Sequence, residues 1–361
     1  MATIDCRPVF QACRTKKQQF RNNSLWRLRD IPTKRQSTRP RNIAPLKPFT
    51  NSSNLAATLP PTPYRAHFFP TEAKMTRQIA LTDDMRASLA KSPEAHKYGH
   101  GHAIVLSGGA GQGGAARLAA RAALRVGAGL VTIAAPTASF YEQAAQLTAV
   151  MLTALPDSYS LRGLLQDDRL NALCLGPGLG QKRAAEMVPA ALWGARATVL
   201  DADALTAFEH EPDHLFTQTH DKVVLTPHMG EFRRLFPDLA ETLAEDENAR
   251  ESKLHATSAA AKRAGCTVLL KGAETTIATP EGETALHCAT GARAAPWLAT
   301  AGAGDVLSGI ITGLLARGLS PFDSACTGAW LHVEAARSFG PGLIAEDLPE
   351  TLPQVFRDIG V

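Results

Sequence analysis

Between Met75 and the C-terminus, short apolar runs of strand length alternate with helix-patterned segments, and that alternation leaves few architectures open. It predicts a mainly parallel central sheet covered by helices on both faces. The runs fall at 103–107, 130–134, 149–152, 172–175, 198–200, 222–225 and 267–270. A hairpin should follow, from 275–279 and 283–286 joined at Pro280-Glu281-Gly282, with helices dominating afterwards. In open sheets of this kind ligands sit beyond the carboxyl ends of the strands. The loops there are where chemistry should converge.

Residues 1–74 are different in kind. They carry fourteen Lys and Arg against three acids, whereas the remainder carries 24 bases against 31 acids, so the formal charge of +4 averages two unlike parts. Rich in Asn, Ser, Thr, Gln and Pro and lacking a helical or strand period, residues 1–74 read as a disordered basic extension before a single domain over 75–361. An organellar leader, a nucleic-acid-binding arm and sequence upstream of a true start at Met75 all fit that composition; the abrupt change at Met75 favours the last. Aromatics for base stacking are few and the body is acidic, so nucleic acid is not an expected partner. No run reaches the ~18 apolar residues of a membrane span. The six cysteines show no CxxC or CxxH spacing, and the four in the body sit among apolar or small residues, so a reducing, cytoplasmic setting is expected.

The densest signal is the glycine-rich turn and helix at 300–316. Val306, Leu307, Ile310, Ile311, Leu314 and Leu315 repeat on one face, so a buried helix should begin near Gly304. Gly302 and Gly304 allow a sharp bend ahead of it, which leaves the N–H groups of Ala303, Gly304 and Asp305 pointing outward as an anion hole. Asp305 is discordant there. A carboxylate at that mouth caps the helix, binds metal through water or accepts a proton.

Other strand ends carry unusual loops. After the first strand, residues 107–116 hold five glycines ahead of a helix over 115–126. Gly109, Gly111 and Gly114 imitate a dinucleotide fingerprint without its acidic ribose partner, so close backbone approach to a substrate and a plain tight turn are both open. Gly176, Gly178 and Gly180 clear space after the fourth strand. Asp201 and Asp203 alternate on extended chain, so one can enter the site while the other caps the next helix. His228 and Glu231 lie three apart at a helix start and can face one pocket or serve only as caps. Lys271 emerges from a buried strand end, where it meets an anion or snorkels to solvent.

Together, Gly176-Pro-Gly-Leu-Gly180, Leu200-Asp-Ala-Asp-Ala-Leu205, Thr226-Pro-His-Met-Gly-Glu231, Leu270-Lys-Gly-Ala-Glu-Thr275 and Ala301-Gly-Ala-Gly-Asp-Val-Leu-Ser-Gly309 stand in the order found in the ADP-dependent NAD(P)H-hydrate dehydratases. The chain resembles that family from about Lys97 onward, closing with Leu343-Ile-Ala-Glu-Asp-Leu-Pro-Glu-Thr-Leu-Pro353. The resemblance implies a ribokinase-like fold and a repair lyase that restores NADH or NADPH from the S-hydrate, consuming ADP and releasing AMP and phosphate. It implies that Ala115, Gly178, His228 and Asp305 contact the hydrate, with Asp305 accepting the hydroxyl proton. Lys271, Gly272, Ala273, Glu274, Thr275 and Gly304 would contact the adenine nucleotide, Gly302, Ala303 and Gly304 frame the anion hole, and Glu231 organises magnesium. A separate epimerase and a homo-oligomer are expected on the same basis.

Two departures stand out: Met229 occupies a usual proline position, and residues 1–74 have no counterpart. A ribokinase-like kinase of a small alcohol or vitamin precursor would need the same anion hole and Asp305, and a catalytically silent nucleotide-binding protein is a third reading.

Overall fold

A computed structural model describes residues 75–243 and 249–361. The expected basic extension, 1–74, lies outside the described residues. Ten strands form one sheet: β1 Arg77–Gln78, β2 His102–Leu106, β3 Leu130–Ala135, β4 Met151–Ala154, β5 Leu170–Leu175, β6 Ala197–Leu200, β7 Val223–Leu225, β8 Thr267–Leu270, β9 Glu274–Ala278 and β10 Thr284–Cys288. Their order is β1-β10-β9-β8-β7-β6-β5-β2-β3-β4. Every neighbouring pair is parallel except those that β9 makes with β8 and β10, so the expected hairpin contributes the one reversed strand. All the expected strands form. The third is displaced, running over Met151–Ala154 rather than 149–152, because an edge strand half open to solvent has no strict inward face to fix its register. The two-residue β1 is too short for any periodicity to announce.

Alternate strand residues feed two separate cores. Ala103 and Val105 pack toward the helices Gly114–Arg125, Ala303–Ala316, Pro321–Phe339 and Asp347–Asp358, whereas Ile104 and Leu106 pack toward Gln181–Trp193, Met229–Leu235 and Ala249–Ala264. Buried on both faces, the strands read as continuous apolar runs rather than alternating ones. Small residues then set the position of the helix Ala303–Ala316. A methyl on Gly309 would stand 2.1 Å from the Ala119 carbonyl oxygen, and one on Gly313 2.4 Å from Val126 Cγ1, so this helix lies directly on the backbone of Gly114–Arg125. Its N-terminal turn is thereby held at one height above the sheet.

From β2 the chain proceeds outward to β3 and β4, then returns to place β5 on the other side of β2. This reversal of strand order opens a crevice between the carboxyl ends of β2 and β5. The two glycine loops meet in it: a methyl on Gly108 would lie 2.0 Å from the Gly178 carbonyl oxygen. Among the described residues no helix is long and apolar enough to cross a membrane, and Cys174, Cys266, Cys288 and Cys326 are free thiols.

Candidate active site

Gly302 adopts the left-handed conformation, φ 89°, and turns the chain into the helix Ala303–Ala316. Only glycine takes that conformation at no steric cost. Ala303 N–H, expected in the anion hole, donates instead to the Thr300 carbonyl at 3.4 Å, whereas the N–H groups of Gly304 and Asp305 have no acceptor within the helix. His332, buried on the helix Pro321–Phe339, steadies the turn from below: its Nε2 lies 2.8 Å from the Ala303 carbonyl oxygen. Burial pushes this imidazole down to about 4, so it is neutral and Nε2–H donates to the carbonyl.

Asp201 is the buried hub. At 1% exposure it accepts from Lys271 Nζ at 2.7 Å and from Ser308 Oγ at 2.5 Å. Lys271 Nζ is also 3.9 Å from Glu231 Oε2. Burial works against the ammonium, but Asp201 and Glu231 outweigh it and hold Lys271 above its ordinary value. The same burial raises Glu231, with Lys271 opposing. Asp305 is raised to about 6, first by burial and then by the charge of Asp201, with Lys271 as the opposing influence. A carboxyl poised there exchanges protons near neutrality.

Around this centre the expected residues separate into two sides. On one side Ala115 and Gly178 touch across the crevice, a Gly178 methyl lying 3.2 Å from Ala115 Cβ. On the other, Gly304 faces Lys271, whose Nζ would be 3.5 Å from a methyl at position 304. Gly272 and Ala273 are exposed at the end of β8, and Thr275 Oγ1 donates to the Gly272 carbonyl at 3.0 Å. The Glu274 carboxylate is paired with Arg250. His228 stands at the rim in a reciprocal cap: its Nδ1 accepts from the N–H groups of Gly230 and Glu231, while Glu231 Oε2 accepts from His228 N–H at 2.8 Å. With Nδ1 accepting, Nε2 carries the proton and lies 3.4 Å from Glu231 Oε1. Of the two roles that spacing alone left open, capping is the one both side chains are seen to take.

Asp203 corrects one expectation. It opens the helix Asp203–Thr206, yet its Oδ2 accepts from Gly180 N–H at 2.8 Å, tying the β6 loop to the β5 loop rather than capping its own helix. Ala202 at φ 45° supplies the bend that turns Asp203 that way. Sequence reasoning assigned no role to Ser308, His332 or Lys253. Ser308 falls one turn after Asp305 on the same helical face, and His332 is a polar interruption in an apolar helix; either pattern was a usable signal. Lys253 lies on a distant helix, where its amine reaches the Glu274 carbonyl and, at 3.5 Å, that of Lys271. Burial pushes it down to about 8. Its place beside the Gly272 loop follows only from the tertiary fold.

Among the described residues no three His, Cys, Asp or Glu side chains converge to hold a metal.

The sheet is doubly wound and mainly parallel, with helices on both faces. Residues 103–354 match the NAD(P)H-hydrate dehydratase family, also called Carb_kinase, and the chain belongs to this family. It is 38% identical over 284 residues to a bifunctional NAD(P)H-hydrate repair enzyme of Moorella thermoacetica, covering 73% of this chain and 51% of that protein. It thus spans about half the length of the bifunctional relatives it matches. Identity to the ADP-dependent (S)-NAD(P)H-hydrate dehydratase of Neisseria meningitidis is 35% over 253 residues, covering 68% of this chain and 80% of the relative. Among solved structures, a ribokinase-like superfamily protein of Enterococcus faecalis superposes with TM-score 0.64 at 22% identity, covering 79% of this chain and 96% of that one. The ADP/ATP-dependent NAD(P)H-hydrate dehydratase of Bacillus subtilis, co-crystallised with ATP and Mg2+, gives 0.62 at 27% identity over 76% and 96%. The fold is ribokinase-like, as the motifs implied.

Proposed function

We propose that this protein dehydrates the S-hydrate of NADH or NADPH at the expense of ADP, restoring the reduced dinucleotide and releasing AMP and phosphate. The observation that carries the reading is Asp305: a carboxyl raised to about 6, in the first turn of a helix, the part of a helix suited to receiving phosphate. The family's name and the Neisseria relative support the substrate, and the Bacillus structure supports an adenine nucleotide with magnesium.

The hydrate's ring lies between Ala115 and Gly178 on one side and Asp305 on the other, with His228 Nε2–H donating at the rim. ADP lies along Lys271 to Thr275, its β-phosphoryl against the N–H groups of Gly304 and Asp305. As the ring hydroxyl oxygen bonds to phosphorus, its proton passes to Asp305 and AMP leaves. Phosphate then departs with the carbon–oxygen electron pair, the neighbouring carbon releases a proton to solvent as its C–H electron pair forms the ring double bond, and the dihydronicotinamide is regenerated. The anion hole and Lys271 stabilise charge as the phosphoryl moves, the dominant contribution in such transfers. Magnesium, when bound, would neutralise phosphate charge, and Glu231 would be the residue to hold it. Interconversion of R and S hydrates falls to a separate epimerase, and a homo-oligomeric, cytoplasmic enzyme is part of the same reading.

The test mixes the full chain with S-NADPH hydrate, magnesium and ADP or ATP and follows the absorbance of the reduced nicotinamide. Return of the absorbance with ADP is expected. A stable phosphorylated alcohol formed from a vitamin precursor, with no return of absorbance under either nucleotide, would overturn the reading in favour of a small-alcohol kinase.

A further inference from the structure

A cavity of about 1000 Å³ opens beside the candidate site, bounded by the helix Gly114–Arg125, the segment 146–150 and the helix Asp347–Asp358. None of the chemistry assigned above uses it. Yet it adjoins the catalytic turn. A methyl on Gly302 would stand 2.8 Å from Leu118 Cδ1 and 2.9 Å from Ala345 Cβ, and Leu118 and Glu346 both line the cavity. Gly114, the residue before Ala115, lines it too. The cavity therefore begins where a bound hydrate ring would end.

Its charge is unusual. Arg117, Arg121 and Arg125 recur every fourth residue, so they form one stripe along ~12 Å of helix facing the cavity. Glu350, from the opposite wall, pairs with both Arg121 Nε and Arg125 Nη2. Arg117 lies 3.3 Å from Gln143 Oε1 and 3.6 Å from a Glu142 oxygen. All three guanidiniums keep partial exposure, so a ligand can reach them. Guanidinium recognises phosphate bidentately, and a file of three at helical spacing suits a polyphosphate rather than one carboxylate.

We propose that the Arg117, Arg121 and Arg125 stripe holds the diphosphate that joins the two halves of the dinucleotide substrate, together with the AMP half beyond it, with Glu350 as a resident counter-ion that the diphosphate displaces. This rests on the function proposed above. The ring occupies the Ala115 end, ADP takes the Lys271 side of Asp305, and the remaining length of the dinucleotide extends along the stripe. The cavity has the volume of a small-molecule site, 300–1,000 Å³ being the usual range of about that size.

The experiment compares two substrates with the full chain and ADP: S-NADPH hydrate, and the hydrate of reduced nicotinamide mononucleotide, which lacks the AMP half. In the double variant R121A/R125A the ratio of kcat/KM for dinucleotide over mononucleotide hydrate should fall at least about tenfold, through KM of the dinucleotide. Glu350→Gln should act in the opposite direction, lowering that KM about threefold, because it removes the competing anion while keeping the side chain's size. Both changes break the same ion pair, so a purely structural pair predicts shifts of the same sign. An unchanged ratio, or KM moving the same way in both variants, overturns the subsite while leaving the proposed function standing. Turnover of neither hydrate by the unaltered chain overturns the proposed function, and this assignment with it.

Discussion

Lys271 Nζ stands 2.7 Å from Asp201 Oδ1 and 3.9 Å from Glu231 Oε2, so a single ammonium answers two buried carboxylates. Asp305 makes a third carboxylate in the same field. One cation cannot hold all three ionised at little cost, and the least enclosed of them is Asp305, which is therefore the group left to exchange a proton. The reactive group and the group that binds it are in this sense one electrostatic unit.

The pH dependence follows directly. In the proposed mechanism Asp305 acts as a base only when deprotonated, and it is raised to about 6, so kcat/KM should be flat above that pH and fall about tenfold per unit below it. A profile measured from pH 4.5 to 8.5 with hydrate and ADP checks this. A limb near pH 4 instead would mean that the site does not raise Asp305.

Asp305→Asn should lower turnover about a hundredfold or more while making the protein more stable. Burial and Asp201 raise the folded carboxyl from an ordinary 3.8 to about 6, so the folded state holds its proton more tightly than the unfolded state. Stability from this group is present below pH 4 and is lost as pH rises through 6; above that, ionised Asp305 opposes folding. The shift corresponds to at most about 3 kcal/mol and, given partial exposure, to about 1–2. Thermal unfolding at pH 7.5 should show the variant melting higher, with the gain vanishing at pH 4. A gain independent of pH would break the link to ionisation.

Lys271→Ala leaves Asp201 and Glu231 buried without their cation, a change that costs about 3–5 kcal/mol when a buried pair loses one partner. It should also weaken ADP binding more than it slows the chemical step. Urea unfolding and calorimetric titration with ADP give the two quantities separately. Undiminished ADP affinity would leave Lys271 as the neutraliser of Asp201 and nothing more.

The sheet was legible because each central strand, buried on both faces, is a compact apolar run between loops of glycine, proline or acid. Val223–Leu225 and Thr267–Leu270 needed nothing else to be found. Met151–Ala154 shifted and Arg77–Gln78 went unseen because edge pairing leaves little mark on composition. At the site, Gly302, Asp305, Asp201 and Lys271 were legible as residues whose chemistry clashes with a buried strand end or a helix start. Their pairing was not. Sequence leaves Lys271 to meet an anion or to snorkel to solvent, and the anion it meets is Asp201, seventy positions away. Lys253 and the arginine stripe lie on helices whose sequences look like ordinary solvated faces, and only packing gives them a neighbour.

Two glycines of one turn should respond in opposite ways to the same methyl group. At Gly302 the backbone is left-handed, φ 89°, and the methyl would overlap Leu118 Cδ1 and Ala345 Cβ. Gly302→Ala should thus lose about 1–2 kcal/mol from conformation alone and shift the turn that aims the N–H groups. Gly304 has helical backbone, and its methyl would meet nothing nearer than Lys271 Nζ at 3.5 Å and Asp201 Oδ2 at 3.9 Å. Gly304→Ala should therefore fold as well as the unaltered chain or better, alanine being favoured over glycine in a helix by about 0.5–1 kcal/mol. Yet that methyl projects toward the ammonium assigned to the nucleotide's phosphate. ADP affinity should drop at least about tenfold in this stable variant, which calorimetric titration beside a urea unfolding curve would detect. Full ADP affinity in a well-folded Gly304→Ala protein would move the phosphate away from the space between the helix start and Lys271.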